Sequence, residues 1–214
     1  MPSARPKPPP AASRETQLRD LKRKLVLDGA RAVFAKHGLE GASTRAIAQA
    51  AGCTTGAIYP YFSGKEAIYA ELLSESLEAL CVAVSAAAAS GGAPEGRLFN
   101  GAKAFFDYYI RHSDELTLGL YLFQAVKRRG LGAELDSRLN RQLRGVLDAL
   151  RPHIVMLAGE SAAADAEISM LFTYLVGLLI VEHTGRLKIL RGTAQSLLER
   201  YLIALTERCK KGKR

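Results

Sequence analysis

The stretch STRAIAQAAGCTTGAIYPYFSGKE, residues 43–66, constrains the fold of this chain more than any other. Ser43 is suited to cap a helix beginning at Thr44, because its hydroxyl can accept a hydrogen bond from a first-turn N–H that the helix leaves unsatisfied. Ala46, Ile47, Ala50 and Ala51 follow at helical spacing and predict one small apolar face. Gly52 stands where a left-handed residue ends the helix without a Cβ penalty. Thr54 is placed to cap a second helix running through Ile58 to about Tyr61. That helix must be very short or bent, since Pro60 lacks an N–H and its ring crowds the preceding turn. It carries Thr55, Gly56, Tyr59 and Tyr61, groups suited to an external contact.

Two short helices around a glycine turn form the helix-turn-helix signature, whose second helix enters the DNA major groove. The surrounding pattern is more specific. It begins with VLDGARAVFAKHGLEGAS, continues through TRAIAQAAGCTTGAIYPYF and ends with GKEAIYAELL. Over roughly residues 20–80 this order of motifs resembles the DNA-binding domain of the tetracycline-repressor (TetR) family. Beyond about residue 85 the resemblance is architectural only.

The residues themselves suggest DNA contacts. Arg45, early in the supporting helix, can fork onto guanine O6 and N7. Thr55 lies near the N-terminus of the reading helix, and Gly56 lets the backbone approach closely. Tyr59 and Tyr61 can present hydroxyls to phosphates and rings to thymine methyls, or Tyr59 can pack inward against Phe62. Thr44 and Thr54, at helix starts, can add phosphate contacts. The resemblance adds Lys65, whose counterpart clamps the DNA backbone from the start of a long helix.

Charge placement agrees with this reading. The formal net charge is +9, and residues 1–65 alone carry a balance of +7, whereas residues 66–207 carry −3. A basic segment draws in phosphates and releases counterions, so steep salt dependence is expected. The first residues, MPSARPKPPPAAS, are polar and Pro-rich, without an apolar core of a signal peptide, and read as a disordered arm over 1–14. Cys53, Cys81 and Cys209 have no metal-ligand spacing and are odd in number, which suits a reduced, cytoplasmic setting.

No segment alternates with period two, so the chain reads as all-α. The domains are expected at 15–65 (three-helix, helix-turn-helix) and 66–209 (a helical bundle), with a basic tail at 210–214. The first helix spans about 15–37, with Leu18, Leu21, Leu25, Val26, Ala30, Val33 and Phe34 on its buried stripe and Gly38 closing it. Gly29 in mid-helix implies a close neighbour. Later helices are expected at 66–90, 95–112, 114–129, 131–158 (kinked at Pro152), 161–190 and 193–209. The run ISMLFTYLVGLLIV at 168–181 is shorter than the roughly 20 apolar residues of a membrane span and reads as a core or subunit-contact helix. The resemblance implies that the last two long helices pair with their copies in a homodimer, and Leu197, Leu198, Tyr201, Leu202 and Leu205 supply a suitable stripe.

No catalytic or metal-binding constellation is visible: His37, His112, His153 and His183 are scattered, and no Gly-x-Ser-x-Gly elbow or phosphate loop occurs. Neither a cofactor nor an enzyme is expected. Family members generally bind a small effector between the helices of the larger domain. Phe105, Tyr108, Tyr109, Tyr121, Phe123, Tyr174 and His183, with Glu182, are candidates to line such a pocket, though each also suits a core. The reading is a dimeric transcriptional regulator, a repressor released from a palindromic operator on double-stranded DNA by a small molecule. The alternatives are a dimeric DNA-binding protein without an effector and a soluble helical enzyme.

Overall fold

The computed structural model describes residues 11–120, 130–159, 161–190 and 192–212. Among these residues every regular element is helical: α1 (Ala11–Gly41), α2 (Thr44–Ala50), a one-turn 3₁₀ helix (Thr55–Ala57), α3 (Lys65–Ala89), α4 (Pro94–Arg111), α5 (Ser113–Gly119), α6 (Ala133–Asp148), α7 (Arg151–Ala158), α8 (Ser161–His183), α9 (Leu187–Leu190) and α10 (Ala194–Gly212). The chain divides into two compact units that meet between Leu72 and Leu73.

In the first unit, α1 is interrupted at Gly38, whose φ of 64° lies in the left-handed region. Its second half buries Val26, Leu27, Ala30, Val33 and Phe34. The expected stripe does not extend further back: Leu18, Leu21 and Leu25 are 52%, 55% and 49% exposed. Length explains the difference. The seven residues of α2 rise only about 10 Å, against roughly 46 Å for the 31 residues of α1, so α2 covers only part of it. The small core is completed by Ile47, Ile58, Phe62 and Ile68, with Tyr69 meeting Phe34 edge-to-face at 4.9 Å. A Cβ on Gly29 would lie 2.7 Å from the Ala51 nitrogen, so α1 and the end of α2 approach as closely as the mid-helix glycine implied.

The second unit packs α4 and α7 against α8 and α10. The expected helix over 131–158 is two helices. α6 ends at Asp148 and α7 restarts at Arg151, with Pro152 in its first turn, where its missing N–H costs no intrahelical bond. α8 and α10 are tied by a chain of contacts. Arg208 donates twice to the Glu167 carboxylate at 3.1 and 2.8 Å and lies over the Tyr201 ring. Tyr201 stacks on Tyr174 at 3.9 Å, and the Tyr174 hydroxyl donates to the Leu197 carbonyl.

The stripe expected to face a second subunit is instead this unit's own core: Leu198, Leu202 and Leu205 are almost fully buried. On α8 and α10 the large apolar side chains left exposed are Met170, Ile180 and Ile203, while Val82, Ile110, Met156 and Ile189 are exposed elsewhere in the unit. α3 and α8 are long and apolar enough to cross a bilayer by length and composition. In this fold α8 buries Leu171, Leu175 and Leu179 among neighbouring helices.

Candidate functional site

Local chemistry builds the helix-turn-helix. Ser43 is extended, and its Oγ accepts from the Ala46 N–H at 3.1 Å, capping α2 as expected. Gly52 has φ 66°, and the Cys53 N–H returns to the Ala48 carbonyl at 2.9 Å. The buried residues of α2 are Ile47 and Ala48, whereas Ala46 is half-buried and Ala50 exposed, so the apolar face is narrower than its spacing suggested.

The second helix is shorter than a helix from Thr54 to Tyr61. Regular structure is confined to Thr55–Ala57, and a turn follows in which Tyr61 and Phe62 both donate to the Ile58 carbonyl, at 2.9 and 3.1 Å. Pro60 sits inside that turn and can donate to nothing. Thr54 occupies the capping position in extended conformation, but its hydroxyl makes no cap bond. Ile58 and Phe62 are buried while Tyr59 between them is 58% exposed, so the inward alternative for Tyr59 is not adopted. Arg45, Thr54 and Gly56 are exposed, and Thr44, Thr55 and Tyr61 are half-buried. This leaves a short, outward-facing element pinned from behind by two apolar side chains.

The Lys65 head group, the expected phosphate clamp, is turned onto the protein's own backbone. Its Nζ donates to the carbonyls of Leu39 (2.9 Å), Glu40 (3.3 Å) and Ala42 (3.1 Å), at the C-terminal end of α1. An ammonium has three protons, and all three have acceptors here. Arg23 pairs with Glu71 and stacks 5.5 Å above the Phe62 ring.

The second unit contains a cleft of about 90 Å³, lined on α3 to α8 by Leu73, Leu77, Phe105, Tyr109, Leu116, Gly119, Leu120, Leu139, Asn140, Leu143, Phe172 and Val176. Phe105 and Tyr109 were legible as candidates. Burial pushes the Tyr109 hydroxyl pKa well up, with Tyr108 and Glu115 adding to the effect, so it stays a neutral donor. Three candidates lie elsewhere. The Tyr108 hydroxyl is bound to the Ser76 carbonyl and to Glu115. Tyr174 is engaged with Tyr201. His183 places Nε2 3.1 Å from the Tyr109 carbonyl, which can only accept. Tyr121 and Phe123 lie outside the described residues. Leu139, Leu143 and Phe172 were missed as cleft residues because an apolar residue at helical spacing carries the same signal in a core and in a ligand wall.

A capped helix, a left-handed glycine turn and an outward one-turn element form a helix-turn-helix, and a helical bundle with an apolar cleft follows it in the chain. Residues 26–72 match the family described as bacterial regulatory proteins, tetR family. This amino-terminal segment is a DNA-binding domain of the TetR family. It is 40% identical over 63 residues to the HTH-type transcriptional repressor AcnR of Corynebacterium efficiens, a match covering 29% of this chain and 34% of that protein. It is 34% identical over 77 residues to the transcriptional repressor KstR of Mycolicibacterium smegmatis, covering 36% of this chain and 38% of that one. The chain thus spans about a third of the length of the curated relatives it matches. Similarity of fold reaches further. The fatty acid degradation regulator FadR of Bacillus halodurans superposes with a TM-score of 0.66 at 21% identity over 86% of this chain and 94% of that one. The FadR of Bacillus subtilis, solved in complex with stearoyl-CoA, has a TM-score of 0.66 at 19% identity over 88% and 98%.

Proposed function

We propose that this protein is a sequence-specific, DNA-binding transcriptional repressor that works as a homodimer in the cytoplasm and leaves a palindromic operator when a small molecule occupies the cleft of the second unit. The observation that carries the reading is the 3₁₀ turn: Tyr59 stands exposed between buried Ile58 and Phe62, with Arg45 exposed on α2, which packs against it. Arg45 reads a base edge, Thr55 and Tyr59 add contacts in the groove, and Thr44, Thr54 and Tyr61 hold phosphates. Gly56 keeps the backbone close to the DNA. The repressors AcnR and KstR resemble this segment in sequence, and the stearoyl-CoA complex is a precedent for a ligand within the same fold.

Dimerisation is assigned to the face carrying Met170, Ile180 and Ile203, apolar groups that the protomer leaves uncovered. A twofold dimer presents two reading elements to half-sites about 34–36 Å apart. The effector acts only through different affinities for the DNA-bound and released states. The test is selection from a randomised half-site library. Arg45→Ala should cost about 1–3 kcal/mol on the selected operator and relax preference at one base pair per half-site. Full sequence preference with a uniform loss of affinity would make Arg45 a phosphate contact instead.

A further inference from the structure

Building on the assignment of the cleft as the effector site, we propose that its ligand is a small, uncharged aromatic: one ring bearing a hydroxyl, of the size of phenol, with that hydroxyl held by the Tyr109 side chain. Size sets the first limit. The cleft of about 90 Å³ lies well below the roughly 300–1,000 Å³ of drug-sized sites. One water-sized group needs roughly 10–15 Å³ of such space, so about six to nine non-hydrogen atoms fit. That admits a single ring with a short substituent and excludes fused rings and long chains.

The walls select for a ring. Three aromatic side chains line the cleft, and Phe105 meets both of the others: Tyr109 edge-to-face with centroids 5.3 Å apart, and Phe172 at 6.4 Å with the planes at 89°. Aromatic rings attract one another in edge-to-face and offset arrangements beyond the area they bury. A ligand ring among these three gains contacts that a saturated ring of equal size does not. A flat, rigid ligand also gives up little conformational freedom on binding. The rest of the wall is mostly leucine, and among the described lining residues none is charged. An ion placed there would lose its hydration without a counter-charge.

One polar group is placed to receive the ligand's hydroxyl. Tyr109 is 4% exposed, and its own hydroxyl faces Gly119, where a Cβ would stand 3.9 Å from it. Glycine at that point of the lining leaves the space beside the Tyr109 oxygen to a ligand atom. The Ser76 hydroxyl lies on the same oxygen's surroundings, is 2% exposed and has no partner at hydrogen-bond geometry among the described residues. Burial keeps the Tyr109 phenol protonated, so it both donates and accepts. A ligand hydroxyl does the same and pairs with it in either sense. The other polar side chain of the lining, Asn140, is on the exposed side.

The experiment titrates the full chain calorimetrically with four probes: phenol, toluene, cyclohexanol and benzoate. Toluene keeps the ring and loses the hydroxyl, cyclohexanol keeps the hydroxyl and loses the ring, and benzoate adds a charge. Phenol should bind about tenfold or more tightly than each of the other three. Tyr109→Phe should bring phenol down to the level of toluene and leave toluene within about twofold. Val176→Phe should weaken phenol and toluene alike, about tenfold, by filling the cleft. Circular dichroism verifies that each variant is folded. Phenol bound no better than any one of the other probes, a preference over toluene that survives in folded Tyr109→Phe, or no binding of phenol by the folded wild-type protein would overturn the proposal. A parallel operator-release assay separates this from the regulator reading. Phenol binding with the preferences described, but without release, refutes the effector role and leaves the ligand class standing. Protein that holds its operator and ignores phenol refutes the ligand class alone.

Discussion

Replacing Lys65 by alanine tests the reassignment of a residue that the family resemblance placed on DNA. The ammonium donates to three carbonyls at the end of α1, where the chain has already left helical conformation at Gly38 and those oxygens have no intrahelical partner. A hydrogen bond from a charged donor contributes about 1.5–3 kcal/mol. The three here share one half-buried head group, and the exposed Glu40 carbonyl can turn to water, so they do not add in full. About 2 kcal/mol is a reasonable total, close to one charge-assisted bond counted completely. For a unit of this size that lowers the melting temperature by roughly 10 °C. The assay pairs thermal melts followed by circular dichroism with operator binding across a salt series, measured well below the melt. The expected result is a lower melting temperature and an unchanged dependence of log K on log salt. An unchanged melt with the slope reduced by about 0.9 would show a phosphate contact and refute the clamp.

Other substitutions probe the packing. Gly29→Ala should destabilise the first unit by about 1–3 kcal/mol in denaturant unfolding, because the added Cβ meets backbone at 2.7 Å and outweighs alanine's better helix propensity. Ile203→Asp should split the dimer in sedimentation while leaving the protomer folded, whereas Leu198→Asp, at a core position, should unfold the second unit; the reverse outcome would return the interface to the Leu198 stripe. His153 is buried, and desolvation first, then the nearby Arg97 charge, holds its pKa below the usual histidine value. The folded state therefore binds this proton less readily than the unfolded chain. The associated stability is complete above the unfolded pKa of about 6.5 and is lost as pH falls through it towards the folded value. His153→Gln should flatten that part of the stability profile, by at most about 1.4 kcal/mol per pH unit.

Features set by one residue's backbone or cap were readable from the sequence. Ser43, Gly52 and Gly29 each follow from a rule acting over a few residues, whereas Pro152 pointed only to a kink where the chain in fact starts a new helix. The shortened reading helix was half-readable, since Pro60 forbids a long one without fixing where regularity stops. Periodicity identified apolar faces but not what covers them. Leu18 and Leu21 therefore proved exposed, and Leu198 proved internal. Lys65 reaches carbonyls 23 to 26 residues earlier in the chain, and no local pattern encodes that reach. The cleft draws on residues from Leu73 to Val176, so only the folded topology distinguishes Phe105, which lines it, from Tyr174, which does not.

The 3₁₀ turn separates two tasks that most helices assign to overlapping residues. Ile58 and Phe62 hold the segment to the core, while Thr55, Gly56 and Tyr59 point away from it or stand at its edge. Substitutions at the outward positions change the chemistry that a partner meets and leave the anchoring pair intact. Target preference can therefore drift over generations at little risk to folding, and a new specificity can arise by single steps through stable intermediates.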